Sequence, residues 1–464
     1  MSQPNGGTIT DFASGFPICN FDSSRIMWLA ESYAEISDSL GNLLFYTNGA
    51  WIANTNNDTM YNGNNLNPSS FTSSWYQYGL PIPFSELILP IPSHPNQYFL
   101  FHETIDIRNS SIFSPAYLYR SIIDMNQQGG LGAVTKKNEI ILQDTLGAGQ
   151  SSACKHGNGR DWWLIVPENG HPGFYTYLIT PDTIQLISKQ IIGSHANYNE
   201  GEAAFSPDGT KYATYDYNNG LEVFDFDRCS GILSNAKKVT FNDSLLDIGL
   251  SFSPNSQILY VSRILYLFQF DLSQPVLTNY DTVAVYDGFC SIGCPLYTYF
   301  FTHLLAPDGK IYIISFNSSL HTHVIEQPDI LGIGCNVMQH SYITPTLNGG
   351  TCPNHPNYHL GALTGSSCDS LSTGLNEQQL NHEIRVYPNP AKDKAWLTYH
   401  FDAIHNGWME IYDQLGKLYL KRKLYGSTTQ LLFYTNNFKP GLYLVKVYDD
   451  AQTTSATTKL MIAQ

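Results

Sequence analysis

The stretch that decides the fold reads AFSPDGTKYATYD over residues 204–216. In Ser206-Pro207-Asp208-Gly209 the proline fixes φ for a tight turn, and the glycine accepts a positive φ. The residues that follow, KYATY, alternate between polar and apolar side chains, as a sheet face requires. The stretch therefore predicts a turn that leads into a short strand.

The same order of turn and strand recurs along residues 37–316. The strands start near Leu43, Tyr98, Trp162, Lys211, Ile258 and Lys310, which are 47 to 64 residues apart. Such a repeat has room for about four short strands, the period of a β-propeller blade. The other copies read SDSLGNLLFYTNG (37–49), IPSHPNQYFLFHE (91–103), HGNGRDWWLIVPENG (156–170), SFSPNSQILYVSR (251–263) and LAPDGKIYIISF (305–316).

These repeats predict an all-β chain in which residues 1–368 form a β-propeller of six or seven blades. Six blades are visible, and a seventh would be shared between Gly6–Phe16 and Val337–Pro345, closing the ring. The alternative is an antiparallel β-sandwich with many Gly/Pro turns. Three nearly identical turns at a blade-like period favour the propeller.

Composition narrows the class of protein and of partner. The 464 residues have room for two or three domains, and 13% aromatic with 14% charged residues differs from a disordered composition. The net charge of −15 argues against nucleic acid and against docking on an anionic membrane. No apolar run reaches the ~18 residues of a membrane span.

Eight cysteines suit an exported protein with disulfides, although eight allow 105 pairings. The shortest loops would join Cys290 to Cys294 and Cys352 to Cys368. His355 and His359 follow Cys352, so a zinc site is an alternative, but disulfides or buried thiols suit the spacing better. The eight are Cys19, Cys154, Cys229, Cys290, Cys294, Cys335, Cys352 and Cys368.

Beyond residue 368 the composition changes twice. Residues 369–383 are small and polar without apolar periodicity, which predicts a linker. Residues 384–464 contain seven short strand patterns, beginning IRVYPNPAKDKAWL, continuing through MEIYDQLGKLYL and FKPGLYLVKVYDD, and ending TTKLMIAQ. This number of strands in about eighty residues predicts a small β-sandwich.

Several motifs stand in order across this module: Tyr387-Pro388-Asn389-Pro390 with Asp393, Asp413 with Gly416-Lys417, Pro440-Gly441 with Tyr443, Val445 and Val447, and Lys459 to Ile462. In these motifs the module closely resembles the type A C-terminal sorting domain of the type IX secretion system. The resemblance implies an Ig-like fold, export across the outer membrane, and the translocon and sortase as partners. It also implies removal of the module as the protein is released or anchored to surface lipopolysaccharide. An ordinary fibronectin-like accessory domain is the alternative, and Ala463-Gln464 extend beyond the usual family end.

The N-terminal part also carries a resemblance. It is similar to WD40-like and YVTN-type repeats, and more closely to a group of secreted propellers from the Bacteroidota. The similar segments are GNLLFYTNG (41–49), KHGNGRDWWLI (155–165), FDFDRCSGILS (224–234), LAPDGKIYI (305–313) and PNHPNYHLGAL (353–363). This resemblance implies a fold and an extracellular location, but no activity.

The N-terminus, MSQPNGGTITDF, lacks the charged and apolar regions of a signal peptide. Taken alone it would indicate the cytoplasm. Because the C-terminal module indicates export, we expect a secreted or outer-surface protein whose signal is missing from the given sequence.

Candidate site residues are few, since the sequence holds no G-x-S-x-G, H-E-x-x-H or Walker motif. We predict no catalytic, cofactor or metal residues. The most unusual polar cluster is His156 with Arg160 and Asp161, which would line a pocket at the ring's centre or mouth. Glu202 stands in another blade, and His303 with Asp308 repeats the His-x4-Asp spacing in a third.

A structural interpretation competes with this ligand site. A His and Asp pair before a strand often satisfies backbone groups within a blade, and the repeated spacing favours that role. Carboxylates facing each other across a propeller channel would instead suit glycoside hydrolysis. Asn-rich loops, Asn54–Asp58 and Tyr61–Asn65, would suit sugars, although Asn also simply suits turns.

An Asp-Ser/Thr-apolar pattern recurs seven times and resembles the O-glycosylation acceptor of exported Bacteroidota proteins. The hydroxyl residues are Ser39, Thr59, Thr145, Thr183, Ser244, Thr282 (in Asp281-Thr282-Val283) and Ser370. Turn-then-strand sequences raise the chance frequency of this pattern.

The sequence as a whole predicts an exported propeller that acts as a non-enzymatic binding or adhesion module for a glycan or protein. A propeller hydrolase acting on glycans and a structural component of a surface assembly are the alternatives. No cofactor is predicted.

Overall fold

The computed structural model describes residues 6–107, 113–194, 200–216, 218, 220–241, 248–291, 296–315, 319–348, 350–369, 384–399, 407–413, 416–425, 430–449 and 455–463. By their contacts the residues form two compact units, Met1–Leu371 and Ser372–Gln464. Regular structure is almost entirely β-strand. The described ranges contain one α-helix, α1 (Ser70–Trp75), and none long and apolar enough to cross a membrane.

The first unit consists of six antiparallel sheets and two hairpins, and in each sheet strands adjacent in sequence are paired. We call the sheets blades 1 to 6. In chain order the strands are β1 (Gly7–Asp11) and β2 (Ile18–Asp22) in a hairpin; β3 (Ala34–Ser37), β4 (Leu43–Thr47) and β5 (Ile52–Asn54) in blade 1; β6 (Glu86–Pro90), β7 (Gln97–Ile107), β8 (Phe113–Asp124) and β9 (Ala133–Gln143) in blade 2; β10 (Ser152–Lys155), β11 (Trp162–Pro167), β12 (Gly173–Ile179) and β13 (Ile184–Ile191) in blade 3; β14 (Gly201–Phe205), β15 (Lys211–Asp216), β16 (Gly220–Asp227) and β17 (Ile232–Val239) in blade 4; β18 (Leu250–Phe252), β19 (Ile258–Arg263), β20 (Tyr266–Asp271) and β21 (Asp281–Val285) in blade 5; β22 (Cys290–Ser291) and β23 (Leu296–Tyr297) in a hairpin; and β24 (His303–Leu305), β25 (Ile311–Ile313), β26 (His321–Ile325) and β27 (Val337–Ile343) in blade 6.

The first strands of the blades gather around one axis. β3 contacts β6, β10 contacts β14, and β18 contacts both β14 and β24. Radial sheets whose first strands meet at the centre are the architecture of a β-propeller. The predicted fold is confirmed.

Consecutive blades share buried apolar clusters because each middle strand is covered on both faces. Trp162 belongs to a cluster with Phe101 of blade 2, whereas its neighbour Trp163 belongs to a cluster with Tyr212 of blade 4. Successive side chains of a strand point to opposite faces, so one strand supplies both interfaces. This explains the unbroken apolar run WWLIV, which is buried throughout.

The recurring turn joins the first and second strands in every blade. The Asp208 carboxylate accepts the backbone N–H of Thr210 at 2.9 Å, and Gly209 N–H donates to Ser206 O at 2.8 Å. At least one residue of each turn has a positive φ just before or near the second strand, a conformation that Gly and Asn adopt at low cost. These residues are Gly41, Asn96, Gly159, Gly209, Ser256 and Gly309.

The prediction of a seventh blade is wrong. Val337–Ile343 forms β27, the fourth strand of blade 6, while β1 pairs with β2. The two segments meet through side chains instead, with Thr10 Oγ1 at 3.2 Å from the Tyr342 hydroxyl. The N-terminal hairpin therefore packs on blade 6 without adding a strand to it.

The second unit is a β-sandwich of two sheets. Its strands are β28 (Arg385–Tyr387), β29 (Lys394–Thr398), β30 (Gly407–Asp413), β31 (Leu418–Leu424), β32 (Gln430–Tyr434), β33 (Gly441–Asp449) and β34 (Ser455–Ile462). One sheet has the order β28–β29–β32 and the other β31–β30–β33–β34. Leu397 and Phe433 of the first sheet share a buried core with Ile411, Val445 and Leu460 of the second. The seven strands appear where the sequence predicts them.

Candidate functional sites

The turn between β10 and β11 holds three of the six predicted ligand residues. Arg160 Nε lies 2.7 Å from Asp161 Oδ1, and the amide of Asn158 donates to Asp161 Oδ2 at 2.8 Å. His156 Nδ1 accepts the backbone N–H of Asn158 at 3.0 Å, while its ring packs against Trp163. Burial lowers the pKa of His156, and the negative charge of the Asp161 carboxylate, which raises that pKa, offsets only part of the effect. These groups bind one another within the turn.

Glu202 and His303 lie elsewhere, on the first strands of blades 4 and 6. Glu202 Oε2 accepts the backbone N–H of Leu250 at 2.8 Å, which links β14 to β18. His303 is buried on β24, with Nε2 at 2.5 Å from Ser262 Oγ. Burial raises the pKa of Glu202 well above its usual range and lowers that of His303 to about 3. Both side chains join neighbouring blades.

Asp308 occupies a third place, in the turn between β24 and β25. It accepts the Tyr312 hydroxyl at 2.9 Å and the backbone N–H of Lys310 at 3.2 Å. His156 stands after the end of a first strand, whereas His303 opens one, so the shared His-x4-Asp spacing is not a shared position. The six residues lie apart, with three in the turn of blade 3, Glu202 on β14, His303 on β24 and Asp308 in the turn after β24, and a ligand site built from them together remains a prediction.

Two buried carboxyls on blade 2 were not predicted as site residues. Glu86 opens β6 and Glu103 lies on β7, and both side chains are almost inaccessible. Burial raises the pKa of each to about 8; the Ser85 and Ser32 hydroxyls lower that of Glu86, while Glu103 raises it. Glu103 Oε1 also accepts the backbone N–H of Gly149 at 2.5 Å. In the sequence, a charged residue within each strand pattern could have pointed to these two positions. Whether such a residue is buried depends on the neighbouring blades, which the sequence does not show.

Residues 350–369, which we call the axial segment, run along the first strands of several blades. Asn354 forms a parallel bridge with Leu87 of β6, and its amide donates to Ser151 O at 2.8 Å, just before β10. The Tyr358 hydroxyl donates to Ile88 O at 2.9 Å, and Asn357 donates to Pro207 O at 2.8 Å.

Further contacts extend the axial segment to the remaining sides of the ring. His355 Nε2 lies 3.3 Å from the Glu35 carbonyl on β3, and the Thr302 hydroxyl is 3.7 Å from Cys352 Sγ beside β24. The axial segment thus contacts blades 1, 2, 3, 4 and 6 at or beside their first strands and the turns that follow them. Its residues 361–365 are exposed.

A disulfide between Cys229 and Cys368 fixes the end of the axial segment to blade 4. This corrects the expected Cys352–Cys368 pair, because Cys352 is a buried thiol next to Thr302. Cys290 is also disulfide-bonded, whereas Cys294 lies outside the described residues. Within the described ranges no group of three His, Cys, Asp or Glu side chains is arranged to hold a metal ion.

The Asn-rich loops of blade 1 make internal hydrogen bonds. The Tyr46 hydroxyl donates to Asn57 at 2.5 Å, and the Asn57 amide donates to Ser24 at 2.6 Å. Asn62 binds the Val134 carbonyl at 2.9 Å, and Lys137 Nζ binds the carbonyl of Asn64 at the same distance. These amides hold blade 1 against its surroundings.

A shallow depression of about 500 Å³ lies on blade 5. The Tyr280 ring, which is 37% exposed, packs against the rings of Phe268 and Phe270. Its polar lining suits hydroxyl-rich molecules, because amides and carboxylates bond hydroxyls and an aromatic face stacks on a sugar ring. The lining residues are Gln269, Asp271, Gln274, Thr278, Asn279, Tyr280, Asp281 and Leu331.

The predicted glycosylation acceptors lie mostly on the surface of the first unit. Ser39, Thr59, Thr145, Thr183 and Thr282 are all exposed. Ser244 and Ser370 lie outside the described residues.

The predicted sorting motifs occupy turns and core positions of the second unit. The Asn389 amide donates to Lys459 O, and its carbonyl accepts Met461 N–H, both at 2.8 Å, which fastens the Tyr387–Pro390 turn to β34. Asp413 Oδ1 accepts Lys417 N–H at 2.9 Å across the turn that holds Gly416, whose φ is +79°.

The remaining motif residues shape the centre of the sandwich. Gly441 opens β33 directly after Pro440, and Val445 is fully buried on that strand. The Tyr443 hydroxyl donates to Lys439 O at 3.0 Å, closing the turn before the strand. Lys459 is exposed on β34.

Solved structures similar to this chain share little sequence with it. A protein from Lactobacillus plantarum matches with a TM-score of 0.37 and 11% identity, over 88% of this chain and 99% of its own. PorZ, a surface component of the type IX secretion system of Porphyromonas gingivalis, matches with 0.30 and 11%, over 89% of this chain and 63% of its own. A gluconolactonase from Xanthomonas campestris matches with 0.32 and 12%, over 63% and 84%. No curated protein sequence matches.

Residues 385–463 match the family described as "Secretion system C-terminal sorting domain". The match covers the second unit from β28 to the end of β34. Such a domain supports export by type IX secretion, to the cell surface or the medium, and implies contact with the secretion machinery. The second unit is thus a C-terminal sorting domain of the type IX secretion system, and it follows a six-bladed β-propeller in the chain.

Proposed function

We propose that the propeller is a non-enzymatic binding or adhesion module that works outside the cell after export. The observation that carries this proposal is the axial segment. Propellers commonly bind substrates near their axis, and here the chain's own Tyr358 donates to Ile88 O on the first strand of blade 2 and Asn354 to Ser151 O just before that of blade 3. Binding then falls to the outer surface of the blades.

The depression on blade 5 is the binding place that we favour. Its amides, carboxylates and exposed Tyr280 ring suit a glycan better than an apolar ligand. Adhesion to a glycan would need shape and hydrogen bonds only, so a shallow, open site suffices.

The sorting domain is proposed to bind the type IX translocon and then its sortase, which removes it as the propeller is released or joined to surface lipopolysaccharide. What supports this is the match over residues 385–463 together with the intact motif turns.

Deleting residues 384–464 tests the export proposal. In a bacterium with type IX secretion, the truncated chain should accumulate inside the cell, whereas the full chain should reach the surface or medium. Circular dichroism and limited proteolysis of the truncated protein should show a folded propeller. Surface delivery of the truncated chain would overturn the proposal.

A glycan array with the full chain tests the binding proposal. We expect Tyr280→Ala to lose at least tenfold in affinity for the glycans that the wild type binds, because the stacking surface is removed. Tyr434→Ala, an exposed tyrosine of the second unit, is the matched control. Turnover of any arrayed glycan by the wild type would instead support the glycan hydrolase.

A further inference from the structure

The sheet β31–β30–β33–β34 buries one face and presents the other outward. On β33, Tyr443, Val445 and Val447 are buried in the core of the sandwich. Between them, Leu444 and Lys446 point to the opposite face, because successive side chains alternate. Strand register places residues of all four strands beside them on this outward face.

The outward face combines basic and apolar side chains. Lys421 Nζ lies 4.7 Å and Lys423 Nζ 5.5 Å from the Trp408 ring centre, and Lys446 Nζ lies 5.5 Å from that of Tyr448. Strand pairing sets Lys459 opposite Leu444, which is 40% exposed, and Met461 nearby is 43% exposed. The face, in strand order, consists of Lys421, Lys423, Trp408, Glu410, Tyr412, Leu442, Leu444, Lys446, Tyr448, Thr457, Lys459 and Met461.

Glu410 is the one carboxylate on this face within the described part of the unit, and it is fully engaged. It accepts Tyr412 OH at 2.5 Å and Tyr448 OH at 2.8 Å, and pairs with Lys421 Nζ at 2.8 Å. Burial would raise its pKa, but these three donors lower it to about 2. The carboxylate fixes the rings and Lys421 in place, so that Lys446 and Lys459 contribute positive charge to the face.

Charge is divided unequally between the units. Residues 372–464 contain 10 Lys/Arg and 8 Asp/Glu, a net charge of +2. The other 14 Lys/Arg and 31 Asp/Glu of the chain lie in residues 1–371, a net charge of −17. The basic face is thus a local feature of the sorting domain in an acidic chain.

We propose that this outward face is a docking surface for an acidic protein of the export machinery. The proposal rests on the proposed function and deepens it by naming the chemistry of the partner. The positive charge of Lys446 and Lys459 selects an acidic surface by charge complementarity. Trp408, Tyr448 and Leu444 supply the aromatic and apolar area that holds a protein partner, and tryptophan and tyrosine are the residue types enriched at binding hot spots.

Site-specific photo-cross-linking identifies what the face touches. The full chain carrying p-benzoylphenylalanine in place of Lys446 is produced in a host with type IX secretion and irradiated during export. We expect a protein adduct whose cross-linked peptide is rich in Asp and Glu. The matched control carries the probe at Tyr434, which is 66% exposed on the other sheet, and should not form that adduct. A lipid adduct, an adduct within the chain, a peptide without acidic character, or no adduct specific to position 446 would overturn the proposal.

Charge reversal tests whether the contact matters for export. The variant Lys421→Glu, Lys423→Glu, Lys446→Glu should reduce the exported fraction at least fivefold. Lys392→Glu, Lys394→Glu, Lys439→Glu changes the charge equally at exposed positions off the face and should be exported normally. A Lys→Gln triple variant keeps the test valid if the reversed one does not fold.

The two proposals fail differently in this experiment. If the wild-type chain is not exported by the type IX system, the proposed function fails. If the wild type is exported and the folded face variants are exported equally well, only the docking surface fails.

Discussion

Arg228 joins three parts of the propeller through one side chain. The guanidinium is buried and donates to Lys155 O at 2.9 Å, to His156 O at 3.3 Å and to Gly361 O at 2.5 Å. It therefore ties blade 4 to the turn of blade 3 and to the axial segment. A planar fork of five donors can serve three carbonyls at once, which a lysine ammonium on a flexible stem cannot.

Replacing Arg228 should destabilise the propeller strongly. Arg228→Ala removes the donor to Lys155 O and Gly361 O and empties a buried position, so we expect the free energy of unfolding to fall by about 2 kcal/mol, and Arg228→Lys should recover only part of it. Urea unfolding of the full chain followed by tryptophan fluorescence measures this. Arg422→Ala, an exposed arginine of the second unit, is the control. An Arg228→Ala variant as stable as the wild type would contradict the assignment.

The exposed Asp-Ser/Thr sites allow a second test at the scale of single residues. If the exported protein is glycosylated, mass spectrometry should find glycans on Ser39, Thr59, Thr145, Thr183 or Thr282. All five residues are exposed to solvent. Asp182→Ala should remove the glycan from Thr183 alone. Unmodified peptides at all five sites of the surface-derived protein would contradict the prediction.

The axial segment connects several blades although it has no regular secondary structure of its own. Its side chains hydrogen-bond backbone carbonyls in or beside blades 1 to 4, and Cys352 contacts Thr302 beside blade 6. Its covalent link spans 139 residues from Cys229 to Cys368. Closing so long a loop removes much of the unfolded chain's freedom, for which the usual stabilisation is about 2–5 kcal/mol.

Removing the Cys229–Cys368 bond should therefore loosen the whole propeller. The variant Cys229→Ser, Cys368→Ser should melt several degrees below the wild type and be cleaved by protease within residues 350–369. Cys19→Ser, which removes a thiol that forms no disulfide, is the matched control. Equal melting temperatures of the double variant and the wild type would show that the segment holds by hydrogen bonds alone.

The pH dependence of stability belongs to the whole molecule, because it sums buried groups of several blades. Glu86 and Glu103, with pKa values of about 8 when folded, hold protons that the unfolded chain releases near 4.5. The stabilisation of the folded state by these two protonated carboxyls is complete below pH 4.5 and is lost as the pH rises to 8. His102 and His303, lowered to about 3, act oppositely but only below 6.5.

Between pH 6.5 and 8 the carboxyls should thus dominate over these histidines. We expect the free energy of unfolding to fall by roughly 1.4 kcal/mol per pH unit for each carboxyl. Calorimetry of the wild type across this window measures the fall, and Glu86→Gln with Glu103→Gln should reduce it, whereas Glu202 should still contribute to it. A wild-type melting temperature that rises over the window would contradict the burial of these acids in protonated form.

Local pattern predicted the architecture well because propeller blades are built from local pairings. The six turns and the strands after them are short-range features, and Gly209 or Asn96 mark the positive φ that each turn needs. The ring closure was predicted less well. Val337–Ile343 pairs with the nearby β26 (His321–Ile325) rather than with the distant N-terminus, and the strand pattern alone fits either partner.

The candidate site residues illustrate the same limit. His156 and Asp161 lie in one turn, so their interaction follows from sequence proximity. Glu86 and Glu103 become buried only because neighbouring blades cover them. The choice of Cys229 over Cys352 as the partner of Cys368 likewise required knowing where the axial segment ends.

By itself the sequence determined the all-β class, the blade repeat and the sorting domain, since each is encoded in short motifs with local physical causes. Only the tertiary structure decided the number of blades, the disulfide, the contacts of the axial segment and the basic face of the sorting domain. Those features depend on which distant residues meet, and burial and charge at a given side chain are set by that meeting rather than by its neighbours in the chain.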